Sequence, residues 1–186
     1  ALCLGLMASP FWAAAVLELG KKQIGEARAL QRLMDNPTDS AAFTSLSQSA
    51  DPKELTVQRV IVAISLKRRG RYKAALEFVP PRLLKDSKVK ALAGIAHNVR
   101  GSALFGLGRL SQAAEEYTRA VELLPAAAEP SFNLSRLKLA QNRGNESRSH
   151  LEHASSLDAL AVARWAADED HSVNRYLVDV TPSPID

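Results

Sequence analysis

Residue types that could do chemistry are few in this 186-residue sequence, and their spacing is loose. His150 and His153 stand three apart with Glu146 and Glu152 close by. On a helix that spacing puts two imidazoles on one side, where they could grip a transition metal or work as an acid–base pair. The helix they fall on reads as partly exposed, and solvated histidines account for the same pattern. Asp168-Glu169-Asp170-His171 imitates an acid–base cluster, yet no Gly-rich loop or candidate nucleophile accompanies it, so it reads as a solvated helix end. Gly106-Leu107-Gly108 lacks a preceding strand and a third glycine, so it is no dinucleotide fingerprint. Cys3 is the one cysteine, which excludes an intramolecular disulfide and a cysteine-based zinc site. Asn133-Leu134-Ser135 and Asn145-Glu146-Ser147 match the glycosylation sequon, relevant only in a eukaryotic secreted chain. The expectation is a noncatalytic protein with no metal site and no cofactor.

The elements that must carry these residues read as helices. Apolar residues make up 46% and aromatics 5%, a globular composition, and no useful stretch alternates with period two. The sequence opens at Ala1, as a processed or cropped chain would, and no charge occurs before Glu18. This apolar start admits two readings: a membrane-proximal segment or an ordinary core-facing helix. Gly20 to Met34 reads as helix, Asn36-Pro37-Thr38-Asp39 as a stop and a cap, and Ser40 to Ser49 as a short helix. Asp51-Pro52-Lys53-Glu54 has the form of a helix start, with Asp51 as the cap and Pro52 in the first turn. That helix is expected to run to Gly70, and a second begins at Tyr72 and is broken at Pro80-Pro81. The class is all-α, in short antiparallel pairs.

Self-comparison sharpens this. Gly101, Leu104, Gly108, Leu110, Ala113, Tyr117, Ala120 and Pro125 follow one another at helical spacing across a turn. Shifted by 34 residues, Gly108 lands on Asn142, Ala113 on Ser147, Tyr117 on Leu151 and Ala120 on Ala154; 38 residues earlier, Gly70, Ala75 and Val79 echo the set. Asn can take the left-handed turn geometry that Gly108 would use. The segment Ile95 to Pro125 resembles a tetratricopeptide repeat, with the family's first-helix aromatic and Leu replaced by His97 and Arg100. The resemblance implies a right-handed superhelix of antiparallel helix pairs: units at 20–52 (degenerate), 56–89, 94–127 and 128–161. A capping helix at 161–180, with Asp158 as a start signal, and a tail at 181–186 would follow, after an apolar segment at 1–19.

The same resemblance implies a concave wall built from the first helix of each pair. Its lining would be Val60, Ile64, Lys67 and Arg68, then Asn98, Ser102 and Phe105, then Phe132, Asn133, Arg136 and Leu139. The family's carboxylate clamp has lysines that are missing from this set, so a groove for a peptide or helix is the expectation. Charge supplies a second surface: residues 53–90 hold 11 Lys and Arg against 3 acids, within a chain of net +4. Arg69, Arg71 and Lys73 flank one turn with Lys67 and Arg68, joined by Arg82, Lys85, Lys88 and Lys90. An acidic protein or anionic lipid suits these cations; nucleic acid does not, for lack of interleaved aromatics. The function expected is a protein-binding scaffold or adaptor, membrane-associated, in a bacterial envelope or export assembly. The alternative is a peripheral module that uses residues 67–90 on anionic lipid.

Overall fold

A computed structural model describes residues 24–168 except 37, 38, 52 and 86. The apolar start, Pro52, the acidic end beyond Asp168 and the proline-containing tail all lie outside those residues. The described chain is helical throughout, with nine helices and no strand among the described residues. It divides into two compact units, residues 1–123 and 124–186.

In the first unit, α1 (Ile24–Asp35) and α2 (Ser40–Ser49) form a hairpin. Asp39 caps α2 as the sequence suggests, its carboxylate accepting from the Ala42 N–H at 2.8 Å. Then come α3 (Val57–Arg68), α4 (Tyr72–Phe78), the single turn α5 (Pro81–Lys85), α6 (Lys90–Gly106) and α7 (Leu110–Leu123). The expected start of α3 is corrected: the cap is Thr56, whose hydroxyl accepts from the Arg59 N–H, and the helix opens at Val57. Asp51 instead turns its carboxylate onto the Lys53 N–H at 2.7 Å, a local bond that competes with helix capping. Leu30, Leu33, Leu46, Val62, Leu66, Val79 and Ala96 are among the residues of one continuous core.

In the second unit, α8 (Ala128–Ala140) pairs with α9 (Gly144–Asp168). Asp158 leaves helical geometry and interrupts α9. Its carboxylate accepts from the Ala161 N–H at 2.8 Å, so Asp158 caps a final helical stretch, as the sequence suggests. That stretch folds back so that Val162, Trp165 and Ala166 pack with Phe132, Ala128 and Ala154. Leu160 and Ala163 on the same stretch are exposed.

Three hairpins share one turn. Gly70, Gly108 and Asn142 have φ of 71, 73 and 60°. In each turn the next N–H, from Arg71, Arg109 or Arg143, reaches back to the carbonyl of Leu66, Leu104 or Lys138 at 2.9 Å. This closes the last helical carbonyls and reverses the chain in three residues. Small residues then meet where the helices cross. Ala63 and Ala75 are fully buried, and the Gly101 backbone lies against the Tyr117 ring. In the third hairpin Ser135 and Ser147 take those places, their hydroxyls hydrogen-bonded at 3.0 Å. A polar pair is tolerated at that depth because each hydroxyl finds its partner in the other.

Candidate functional site

The first-helix residues picked out by spacing do not share one environment. On α3, Val60 is fully buried in the core, Ile64 and Lys67 are half-buried and Arg68 is exposed. On α6, which packs beside α3, Asn98 is buried, while Ser102 and Phe105 are half-buried. Ser102 is committed inward: its hydroxyl donates to the Asn98 carbonyl at 3.0 Å and accepts from the Tyr117 hydroxyl at 3.1 Å. In the first unit Ile64, Lys67, Arg68 and Phe105 therefore reach the surface at least in part, whereas Val60 and Asn98 are buried. On α8, Phe132 is 2% exposed and its ring meets Trp165 at 5.4 Å, so the folded-back end of α9 covers it. Asn133 is buried, and Arg136 and Leu139 are half-buried.

A polar cluster that spacing alone did not reveal sits beside α6. His97 Nδ1 lies 2.7 Å from Glu116 Oε2, and Arg100 Nε donates to Glu116 Oε1 at 2.7 Å. Burial would push the Glu116 carboxyl up, but the bonds and charges of His97 and Arg100 outweigh it and hold the group below the usual carboxylate range. Arg100 also donates to the Val79 carbonyl at 2.8 Å. From the other side Arg59 Nε donates to the Phe78 carbonyl at 2.7 Å, and Nη2 to that of Glu77. The two guanidiniums thus satisfy the carbonyls that α4 leaves open where Pro80-Pro81 end it. Arg100 thus serves the open end of α4 and pairs with Glu116, while His97 holds Glu116 from its other oxygen. A sequence signal existed in Arg100 and Glu116, opposite charges on consecutive helices of one hairpin.

Of the two histidines, His153 is held by a bond to the helix beside it. His153 Nδ1 is 3.0 Å from the hydroxyl of Ser131, which is fully buried. His150 is half-buried; burial first, then the charges of Lys138 and His153, push its pKa down against the pull of Glu146. Glu146 is engaged by Lys138 at 2.9 Å and by Arg143. Among the described residues no group of three or more potential ligands could hold a metal ion.

The cations divide. Gly106 abuts the Tyr72 ring, while Arg100 reaches Val79, so α4 runs antiparallel to the C-terminal half of α6. Arg68, Arg71 and Lys73 therefore gather near the C-terminal end of α6. Lys88 and Lys90 stand at its other end, about 24 Å away at the helical rise. Arg69 belongs to neither group in full: its guanidinium lies over the Phe43 ring at 5.0 Å from the centroid. On α5, Leu83 and Leu84 turn inward while Arg82 and Lys85 face solvent. Burial, then the nearby Arg82 charge, pushes the Arg59 pKa down, placing two cations close together at that end. Among the described residues no helix is long and apolar enough to cross a membrane.

Compared with known proteins, the chain matches no protein-family model and no curated protein.

Proposed function

We propose that this chain is a tetratricopeptide-like scaffold whose helical hairpins nest as a right-handed superhelix and dock a segment of another polypeptide on their first-helix faces. One observation carries the reading: three turns, at Gly70, Gly108 and Asn142, have a left-handed residue at the same place and the same reversing hydrogen bond. Hairpins built alike each leave a face that the next can cover, the condition for an open stack. Such stacks work through an extended surface, and a face mixing apolar groups with cations takes a helix or extended peptide by side-chain anchors. The anchors assigned are the half-buried Phe105 with Ile64 and Lys67 in the first unit, and Arg136 with Leu139 in the second. Each set is proposed on its own helices.

The test is selection of peptides from a random library on the full chain, followed by calorimetry with the winning sequences. Phe105→Ala and Leu139→Ala remove half-buried anchors, and truncating an anchor of this kind typically weakens binding by about 1–2 kcal/mol. Circular dichroism checks that each variant stays helical. Selected peptides that bind both variants as tightly as the parent would refute the first-helix assignment.

A further inference from the structure

We propose that the Arg82–Lys90 end of the first unit is a docking surface for the anionic headgroups of a lipid bilayer, separate from the peptide-binding faces and independent of them. Arg82, Lys85, Lys88 and Lys90 are all exposed. With Asp86, the one acid between them in sequence, the segment carries net +3. No ion pair joins these four cations to a carboxylate among the described residues. Arg82 instead sits close enough to the buried Arg59 for the two charges to oppose each other.

The apolar component distinguishes a bilayer from other anions. Val89 lies between Lys88 and Lys90 and is 57% exposed, among the most exposed large hydrophobic residues described. Cations at a water–lipid boundary with an apolar side chain pointing outward match the layered chemistry of a membrane surface, where headgroup charge overlies hydrocarbon. Leu83 and Leu84 anchor α5 from beneath, so Arg82 and Lys85 are held outward by a rigid support. Three of the four cations are lysines, which act as hydrated point charges and need no paired acceptor geometry. A folded acidic protein would more often be met by the planar forks of arginine. The uncharged Ala1–Leu17 stretch of the same sequence is consistent with a membrane as the neighbour.

The experiment is flotation of the full chain with phosphatidylcholine vesicles, with and without about 30 mol % phosphatidylserine, at low and high salt. Each cation near an anionic surface contributes about fivefold in affinity, so Lys85→Gln/Lys88→Gln/Lys90→Gln is expected to weaken binding on the order of 100-fold. Val89→Ser is expected to weaken it by roughly three- to tenfold, with a loss that persists when salt screens the charges. All four positions are exposed, so circular dichroism should be unchanged. A folded triple variant that floats as well as the parent overturns the proposal, and so does equal flotation with uncharged vesicles. Capture of the chain by soluble poly-glutamate without any flotation would assign the same cations to an acidic polypeptide and also overturn it.

Discussion

Gly101→Ala sets two well-calibrated effects against each other at one position. Gly101 lies inside α6, and at an unconstrained helix interior Ala is more favourable than Gly by about 1 kcal/mol. A methyl group there would come within 2.6 Å of Tyr117 Cδ1, 2.7 Å of Cε1 and 3.0 Å of Cγ. Carbon atoms rest at about 3.5–4.0 Å, so the helices must part or the ring must move by roughly 1 Å. The ring has little freedom: Tyr117 is 1% exposed, and its hydroxyl donates to Ser102 Oγ. Overpacking of this kind costs about 1–3 kcal/mol, which cancels or exceeds the helical gain. The expected net change is a loss of up to about 2 kcal/mol. In a Tyr117→Val background, where no ring stands against the new methyl, the same substitution should stabilise by up to about 1 kcal/mol. Urea denaturation followed by circular dichroism, at constant slope, gives all four corners of the cycle. A gain of similar size in both backgrounds would refute the close approach of α6 and α7 at this point, and with it the proposed register.

At Gly108 a Cβ would meet nothing within 4 Å, so any cost of Gly108→Ala comes from its φ of 73° alone, about 1–2 kcal/mol. Gly108→Asn should cost less than Gly108→Ala, and Asn142→Gly should stabilise; thermal melts in which Gly108→Ala matches the parent would contradict the left-handed turn. The Glu116 carboxyl is held below its ordinary range in the fold, so the unfolded chain binds more protons as pH drops under about 4.5. Its contribution is complete above the unfolded pKa and is lost as pH falls through the folded one. Urea titrations between neutral and acid pH should therefore show a steeper decline for the parent than for Glu116→Gln, and parallel declines would deny the role of His97 and Arg100.

Local signals carried most of the fold. The Asp39 and Asp158 caps, the break at Pro80-Pro81 and the turns at Gly70 and Gly108 each act through one residue's backbone geometry or one short side chain. Their effect is complete within three or four positions. Asn142 is the informative case: the shift by 34 residues placed it on Gly108, and it adopts the same left-handed conformation. The start at Asp51 misled because two local bonds compete there. An Asp side chain can cap a helix or close a tight turn on the residue two ahead, and the Lys53 N–H took it. The choice is decided further away, since Arg59 also holds the Asp51 carbonyl at 3.1 Å.

The surface was less legible for a different reason. Residues on the first helix of a hairpin recur at the same spacing whether they face a partner or a neighbouring helix, so periodicity alone could not separate Val60 from Ile64, or Phe132 from Leu139. What separates them is cover. Val60 is enclosed in the first unit's core, and Phe132 is closed by Trp165, a residue 33 positions later in the chain. Charge was easier to count than to place, because net charge carries no direction. Residues 67 to 90 form one run in sequence, yet the pairing of α4 with α6 sends their cations to opposite ends of the unit and leaves Arg69 on the ring of Phe43. A stretch of like charge therefore names a surface only after the helices that carry it have been paired. In this chain the pairing leaves the Lys85–Lys90 end with an exposed valine among its lysines, which the other end lacks.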